Sequence, residues 1–229
     1  MLISANTKGR FFMKAKTNFL LSGILFALFI IFTLLVLNFD VQSIGPEGSF
    51  VGFAELNSFF RDAVGVNMLW YNITDWLGIS AIFTAFDFAL LGLFQFIRRK
   101  SLLKVDADIY ILGGLYLLVI AAYVFFEINV INYRPVLMDG MLEASYPSSH
   151  VMMVCTVMGS AVLQFRSRIK RKKLLFTANS ISLAVIIVTV FGRFLSGVHW
   201  TSDIIGALLL SGALLMLYHS CVSLINNKK

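Results

Sequence analysis

Residues 18–39 read NFLLSGILFALFIIFTLLVLNF, 22 consecutive residues without a charged side chain. A helix crosses the roughly 30 Å hydrocarbon core of a bilayer with about 20 apolar residues. This stretch therefore reads as a membrane span. Lys8, Arg10, Lys14 and Lys16 precede it, as they would a signal peptide, but the run is too long and no small-residue cleavage site follows. A retained anchor is expected. Five further segments, approximately 74–97, 109–129, 149–165, 174–191 and 203–225, have the same character. The chain is 59% hydrophobic and only 14% charged, where a soluble domain has about a quarter charged residues. The expectation is an all-α polytopic membrane protein, a six-transmembrane-helix bundle forming one domain over residues 1–229.

The charges orient the bundle. Lys and Arg gather before the first span, at Arg98, Arg99, Lys100 and Lys104, along 166–173, and at Lys228 and Lys229. Those groups hold 16 of the 19 basic residues, and six spans put all of them on one side. That is the signature of a cytoplasmic face, with both termini on it. It also removes nucleic acid as the reason for the net charge of +7. Three basic residues remain on the other side: Arg61, Arg134 and Arg193. The same side has Pro46, Pro135 and Pro147 and the interfacial aromatics Trp70, Tyr71, Trp76, Tyr133, Tyr146 and Trp200. In the long loop 40–73, Phe50, Phe53, Leu56, Phe59 and Phe60 recur at helical spacing, which predicts a short amphipathic helix on the outer surface. Cys155 and Cys221 fall near opposite faces, too far apart for a disulfide.

Ionisable residues at span ends are the functional candidates. His199 and Asp203 are four apart. On one helix face, Asp203 accepts the Nδ1 proton of His199 and leaves Nε2 as a nucleophile or base. The alternative is an interfacial histidine with Asp203 as a helix cap. In Pro147-Ser148-Ser149-His150, proline and serine suit a helix start, whose free N–H groups bind anions, with His150 placed to donate a proton. The alternative is an ordinary capped helix. Arg134 and Arg193 suit bidentate phosphate contacts, or else snorkelling and structural ion pairs. Asp87 sits well inside the second span. His219 lies 16 residues past Asp203, about 24 Å along a helix, and reads as structural.

Together these blocks resemble the type-2 phosphatidic acid phosphatase family of membrane lipid phosphatases. Its third motif is Ser-Arg, five residues, His, three residues, Asp; here it reads Gly192-Arg193, His199 and Asp203 with the spacing intact. Its second, Pro-Ser-Gly-His, reads Pro147-Ser148-Ser149-His150. Its first, Lys, six residues, Arg-Pro, keeps Arg134-Pro135 but has Glu127 in place of lysine. The resemblance implies a phosphatase at the outer face that needs no metal or other cofactor and acts on a lipid phosphate. His199 is the nucleophile that becomes phosphohistidine, Asp203 orients it, and His150 is the acid. Arg134, Arg193, Ser148 and the amides near Ser149 hold the phosphate. Undecaprenyl diphosphate, phosphatidic acid, phosphatidylglycerophosphate and a sphingoid phosphate all fit. Glu127, two turns before Arg134, is expected to pair with an arginine and orient it from the second layer. Two other functions remain open: a metal-dependent hydrolase using His150, His199 and Asp203 with Glu127 or Glu143, and a non-catalytic lipid-phosphate binding or transport protein.

The charge map predicts that cysteines placed at Asp139 and Asn57 face the outside. An impermeant thiol reagent should label both in intact cells, and labelling only after membrane opening would reverse the orientation.

Overall fold

The computed structural model describes residues 2–226, with side chains described over 16–225. Lys228 and Lys229, and the side chains of Lys8, Arg10 and Lys14, lie outside the described residues. The chain forms seven α-helices among them: α1 Leu2–Asn38, α2 Ala54–Val64, α3 Met68–Arg99, α4 Ala107–Ile128, α5 Ser149–Arg168, α6 Lys172–Ser196 and α7 Thr201–Asn226. α1 and α3 to α7 overlie the six predicted segments, with most helix ends within a few residues of the expected bounds. The main shifts come from local chemistry. α3 begins at Met68 rather than 74 because Asn67 caps it, its Oδ1 accepting from Leu69 N at 3.1 Å and Trp70 N at 3.3 Å. α6 runs on to Ser196, so Arg193 lies inside its last turn rather than beyond it.

Among the described residues, five helices rather than six are long and apolar enough by composition to cross a membrane: residues 16–38 of α1, then α3, α4, α6 and α7 through Ile225. α5 falls short in composition because it occupies the centre. It packs against α3, α4, α6 and α7. Its inward positions carry Thr156, Ser160 and Gln164, all buried. α1 packs along α7.

The amphipathic helix of the first loop is α2. Leu56 and Phe59, with Phe50 ahead of the helix, are exposed. The other two aromatics turn inward. Phe53 lies 5.5 Å from the Phe32 ring and 5.3 Å from Phe39, and Phe60 meets Phe194 edge-on at 5.6 Å. Asn57 is only 1% exposed, so it is not the accessible labelling position that the sequence suggests. Asp62 on the same helix, with a side chain 76% exposed, is the accessible position for labelling beside Asp139.

The basic end of the bundle is tied by a polar network. Gln95 and Asp106 exchange two hydrogen bonds of 2.9 Å, Arg99 reaches Asp106 at 2.8 Å, and Arg168 reaches Asp108 at 2.8 Å. Arg168 thus leaves the basic run to bind the α4 start. Asn18 bonds His219 Nδ1 at 2.7 Å, which gives His219 a structural partner. Asp87 lies on the exposed face of α3. Cys155 and Cys221 are free thiols.

At the other end, Tyr146 joins four segments. Its ring stacks on Phe29 of α1 at 6.3 Å and meets Phe126 of α4 edge-on at 6.0 Å, and its hydroxyl bonds Thr33 at 2.8 Å. Gly206 of α7 lets the ring approach; a Cβ there would lie 2.5 Å from Tyr146 Cε2. Gly206→Ala should therefore overpack a rigid ring and destabilise the fold by about 1–3 kcal/mol. Thermal unfolding in detergent measures this, and an unchanged midpoint would show that the ring can yield.

Candidate active site

The α4–α5 connection is a small antiparallel hairpin rather than an irregular loop. Tyr133 bridges Ala144, Met138 bridges Met141, and Arg134 N donates to Glu143 O at 3.0 Å. Its turn is Asp139-Gly140, with φ of 50° and 78°, the left-handed pair that an Asp-Gly hairpin turn adopts. The dipeptide is visible in the sequence and is the signal that could have revealed the hairpin. Four polar residues of the site region come from it: Asn132, Arg134, Glu143 and Ser145.

His199 sits in the bend between α6 and α7, ahead of the first residue of α7. It does not share a helix face with Asp203, and its Nδ1 is 3.8 Å from Asp203 Oδ2. Ser145 fills the gap. Its Oγ is 3.0 Å from His199 Nδ1 and 2.5 Å from Asp203 Oδ2. A hydroxyl has one proton to give. With that proton on the Asp203 carboxylate, the serine oxygen accepts from His199 Nδ1–H, and Nε2 carries the lone pair. The direct contact read from the sequence is thus replaced by a relay through Ser145. Asp203, fully buried, also accepts from Trp200 N at 2.9 Å and Asn132 Nδ2 at 3.3 Å. The Trp200 contact is the reach-back of a helix N3 carboxylate to the cap, so the capping alternative and the orienting role coexist. Burial first, then the charges of Arg134 and Arg193, push the His199 imidazole well below its ordinary pKa. It stays neutral, the form that carries a lone pair.

Arg193 and His150 meet on a residue the sequence reading passed over. Asp75 of α3 binds Arg193 Nη2 at 2.8 Å and His150 Nε2 at 2.9 Å. The Tyr71 ring lies 4.7 Å from the Arg193 guanidinium carbon, a cation–π contact. One turn separates Tyr71 from Asp75, so α3 presents both to the same cation. Nothing in the sequence around Asp75 marked it, because its partners arrive from α5 and α6.

Arg134 is buried, and Oε2 of the partly exposed Glu143 lies 3.1 Å from its Nε. Glu127, the expected partner of an arginine, is exposed on α4 beside Tyr123. The hairpin brings Glu143 across from Arg134, whereas the last turn of α4 points Glu127 elsewhere. Ser148 is buried and its N–H donates to Asp203 O at 3.1 Å, so that amide is occupied while its hydroxyl is not. Ser149 begins α5, half buried.

Beyond Arg134 Nε, which is held only in its ion pair with Glu143, six buried polar atoms in these residues have no hydrogen-bond partner: Arg134 Nη1, Arg193 Nε and Nη1, Ser148 Oγ, His150 Nδ1 and His199 Nε2. Buried polar groups are normally satisfied. A cluster of free donors around one free imidazole nitrogen suits a tetrahedral anion. The carboxylates Asp75, Glu143 and Asp203 each face a cation or a hydrogen-bond donor of the protein, and no group of three His, Cys, Asp or Glu side chains that could hold a metal occurs among the described residues.

An apolar groove of about 450 Å³ adjoins the cluster, running from Ser149 and His150 along α5 to Val157, with Ile82 of α3 and Tyr116 and Ile120 of α4 as its other walls. A separate cavity of about 500 Å³ lies at the opposite end, among Asp108, Arg168 and His219, remote from these residues.

Residues 116–226 match the sequence model of the PAP2 superfamily, a segment that includes every site residue named above except Tyr71, Asp75 and the groove residue Ile82. The fold is similar to the crystal structure described as the first transmembrane PAP2 type phosphatidylglycerolphosphate phosphatase from Bacillus subtilis. The TM-score is 0.57 at 19% sequence identity, over 89% of this chain and 96% of that one. No curated protein sequence matches the chain.

The relay predicts a cost for Ser145→Ala. Without the hydroxyl, Nδ1–H loses its acceptor and the imidazole is free to turn. A misplacement of 1 Å can cost about 100-fold, and turnover should fall by about 10- to 100-fold. Released phosphate from a short-chain lipid phosphate gives the number, and wild-type turnover would show that Ser145 does not orient His199.

Proposed function

We propose that the chain is a phosphoric ester hydrolase of the membrane, as its match to the PAP2 superfamily over residues 116–226 suggests, and that it hydrolyses a lipid phosphate or diphosphate through a phosphohistidine on His199. The observation that carries this reading is the set of unpartnered atoms on Arg134, Arg193, Ser148, His150 and His199. Two guanidiniums and a hydroxyl hold the phosphate oxygens, and the free first-turn amides of α5 add donors from Ser149 onward.

His199 Nε2 attacks phosphorus as the bond to the lipid oxygen breaks. His150 gives a proton to that oxygen, and the lipid leaves as an alcohol, or as a monophosphate when the substrate is a diphosphate. Water then attacks the phosphohistidine, His150 takes its proton, and inorganic phosphate departs while His199 is restored. Asp75 engages His150 through Nε2, so Nδ1 is the nitrogen that exchanges the proton. Asp203, through Ser145, balances the charge that His199 gains on attack. Such catalysis is mainly positioning and charge stabilisation.

The apolar groove beside His150 supports a lipid over a soluble ester, since an alkyl chain lying along α5 keeps its phosphate at the helix start. α5 serves as the sixth span. Its 20 residues reach about 30 Å, and four helices shield its polar side chains from lipid. Six spans place the basic groups in the cytoplasm and the site at the outer headgroup level. The outward Phe50, Leu56 and Phe59 then seat α2 in that interface. The similar Bacillus subtilis protein acts on phosphatidylglycerolphosphate. That lipid, phosphatidic acid and a polyprenyl diphosphate form the panel to assay.

His199→Ala should abolish phosphate release from every lipid in the panel and remove any trapped phosphoenzyme. His150→Ala should slow lipid phosphates by about 10²–10⁴-fold and slow p-nitrophenyl phosphate, whose leaving group needs no acid, much less. A fully active His199→Ala, or a preference for soluble phosphates over lipid ones, would overturn the reading.

A further inference from the structure

The turn that carries His199 has no regular structure of its own, yet it must hold Nε2 within a fraction of an ångström of its target. Its support comes from outside the family-matched segment. Asn57 of α2 is buried, and every polar atom of its amide is used. Oδ1 accepts from Ser202 N at 3.1 Å, while Nδ2 donates to Ser202 Oγ at 3.0 Å and to Gly52 O at 2.8 Å. Ser202 is the second residue of α7 and immediately precedes Asp203. The first N–H groups of a helix lack intrahelical partners, and a cap residue normally supplies the acceptor from its own side chain. The cap position of α7 holds Trp200, which has no acceptor to give. Asn57 supplies it from another helix.

The opposite flank of the turn is held by the end of the same helix. Gly65, the cap residue after α2, lies against Gly197 so closely that a Cβ on Gly197 would meet Gly65 O at 1.9 Å. Gly197 has φ of +64°, a second reason for glycine. Two residues on, Asn67 N donates to Ser196 O at 2.9 Å. Segments 65–67 and Asn57 therefore bracket residues 196–202 from both sides. α2 also reaches the other two cationic segments. Phe60 meets Phe194 edge-on, next to Arg193, and Arg61 Nη2 donates to Pro135 O at 3.5 Å, next to Arg134.

We propose that Asn57 is a positioning residue for the reaction: by capping α7 from α2 it fixes the His199 turn and the Asp203 carboxylate against the phosphate site. It touches no substrate and acts through Ser202. The proposal rests on His199 being the nucleophile.

The test uses the purified full chain in mixed micelles with dioctanoyl phosphatidic acid. Asn57→Ala should lower kcat by about 10- to 100-fold, the scale of a misplaced catalytic group, and leave KM within about 3-fold because the phosphate donors are untouched. Asn57→Asp keeps the acceptor for Ser202 N but sets an oxygen where Nδ2 donates to Gly52 O, so kcat should recover only in part, to above that of the alanine variant. Ser202→Ala removes one end of the clamp, and its effect combined with Asn57→Ala should be less than additive. If Asn57→Ala does not yield folded protein by size-exclusion chromatography, Asn57→Ser, whose hydroxyl is too short to span the gap, should show the same loss in kcat. Wild-type kcat in the alanine or serine variant, or a loss confined to KM, overturns the proposal. A His199→Ala control separates the two levels: if it is inactive while Asn57→Ala is fully active, only the positioning role fails, and if it is active, the nucleophile reading fails with it.

Discussion

Two guanidiniums are buried at one end of this bundle, and the rest of the site is arranged around that cost. Taking an isolated cation out of water costs several kcal/mol even after the protein relaxes. Arg193, fully buried, is met by the Asp75 carboxylate and the face of Tyr71. Arg134 is met by Glu143. Each carboxylate engages only part of its guanidinium, and Nη1 of both arginines has no partner. A fully satisfied arginine would be a structural ion pair. A half-satisfied one is stable enough to stay buried and retains donors for an anion. The same division appears in the histidines, where one nitrogen of each is engaged by the protein and the other is free.

That arrangement dictates which parts of the chain must meet. The arginines come from the α4–α5 hairpin and the last turn of α6, their counter-ions from the hairpin and α3, and the histidines from the α5 start and the α6–α7 bend. No two adjacent elements hold the whole set. α5 is therefore the pivot: packed on α3, α4, α6 and α7, it can afford serine, threonine and glutamine where a lipid-facing span cannot. Its polar character, which removes it from the helices apolar enough to cross a membrane, is a consequence of its central place.

The first loop does more than connect. The sequence pattern marks α2 as amphipathic, and the exposed Phe50, Leu56 and Phe59 agree. Its inner face, however, is not merely apolar packing. Asn57, Phe60, Arg61 and Gly65 contact the three segments that bear His199, Arg193 and Arg134. An asparagine on the buried face of a short helix is a small departure from the apolar pattern, and the only sequence trace of that connection.

The long apolar runs, the basic clusters and the spacing of Arg193, His199 and Asp203 were readable in the chain itself, because they are local properties: hydropathy over 20 residues sets a helix, and motif spacing sets which side chains fall near one helix end. Tertiary structure decided the partners. Glu143 rather than Glu127 meets Arg134 because an Asp139-Gly140 turn folds the hairpin back on itself, and carboxylates seven or nine residues from an arginine are indistinguishable by distance along the chain. Asp75 binds His150 and Arg193 from 75 and 118 residues away. Ser145 stands between His199 and Asp203 because the bend before α7 withdraws the histidine from the helix face that the four-residue spacing suggested. Ion pairs and relays depend on gaps of a few tenths of an ångström between elements distant in sequence, and only the packing of those elements sets such gaps.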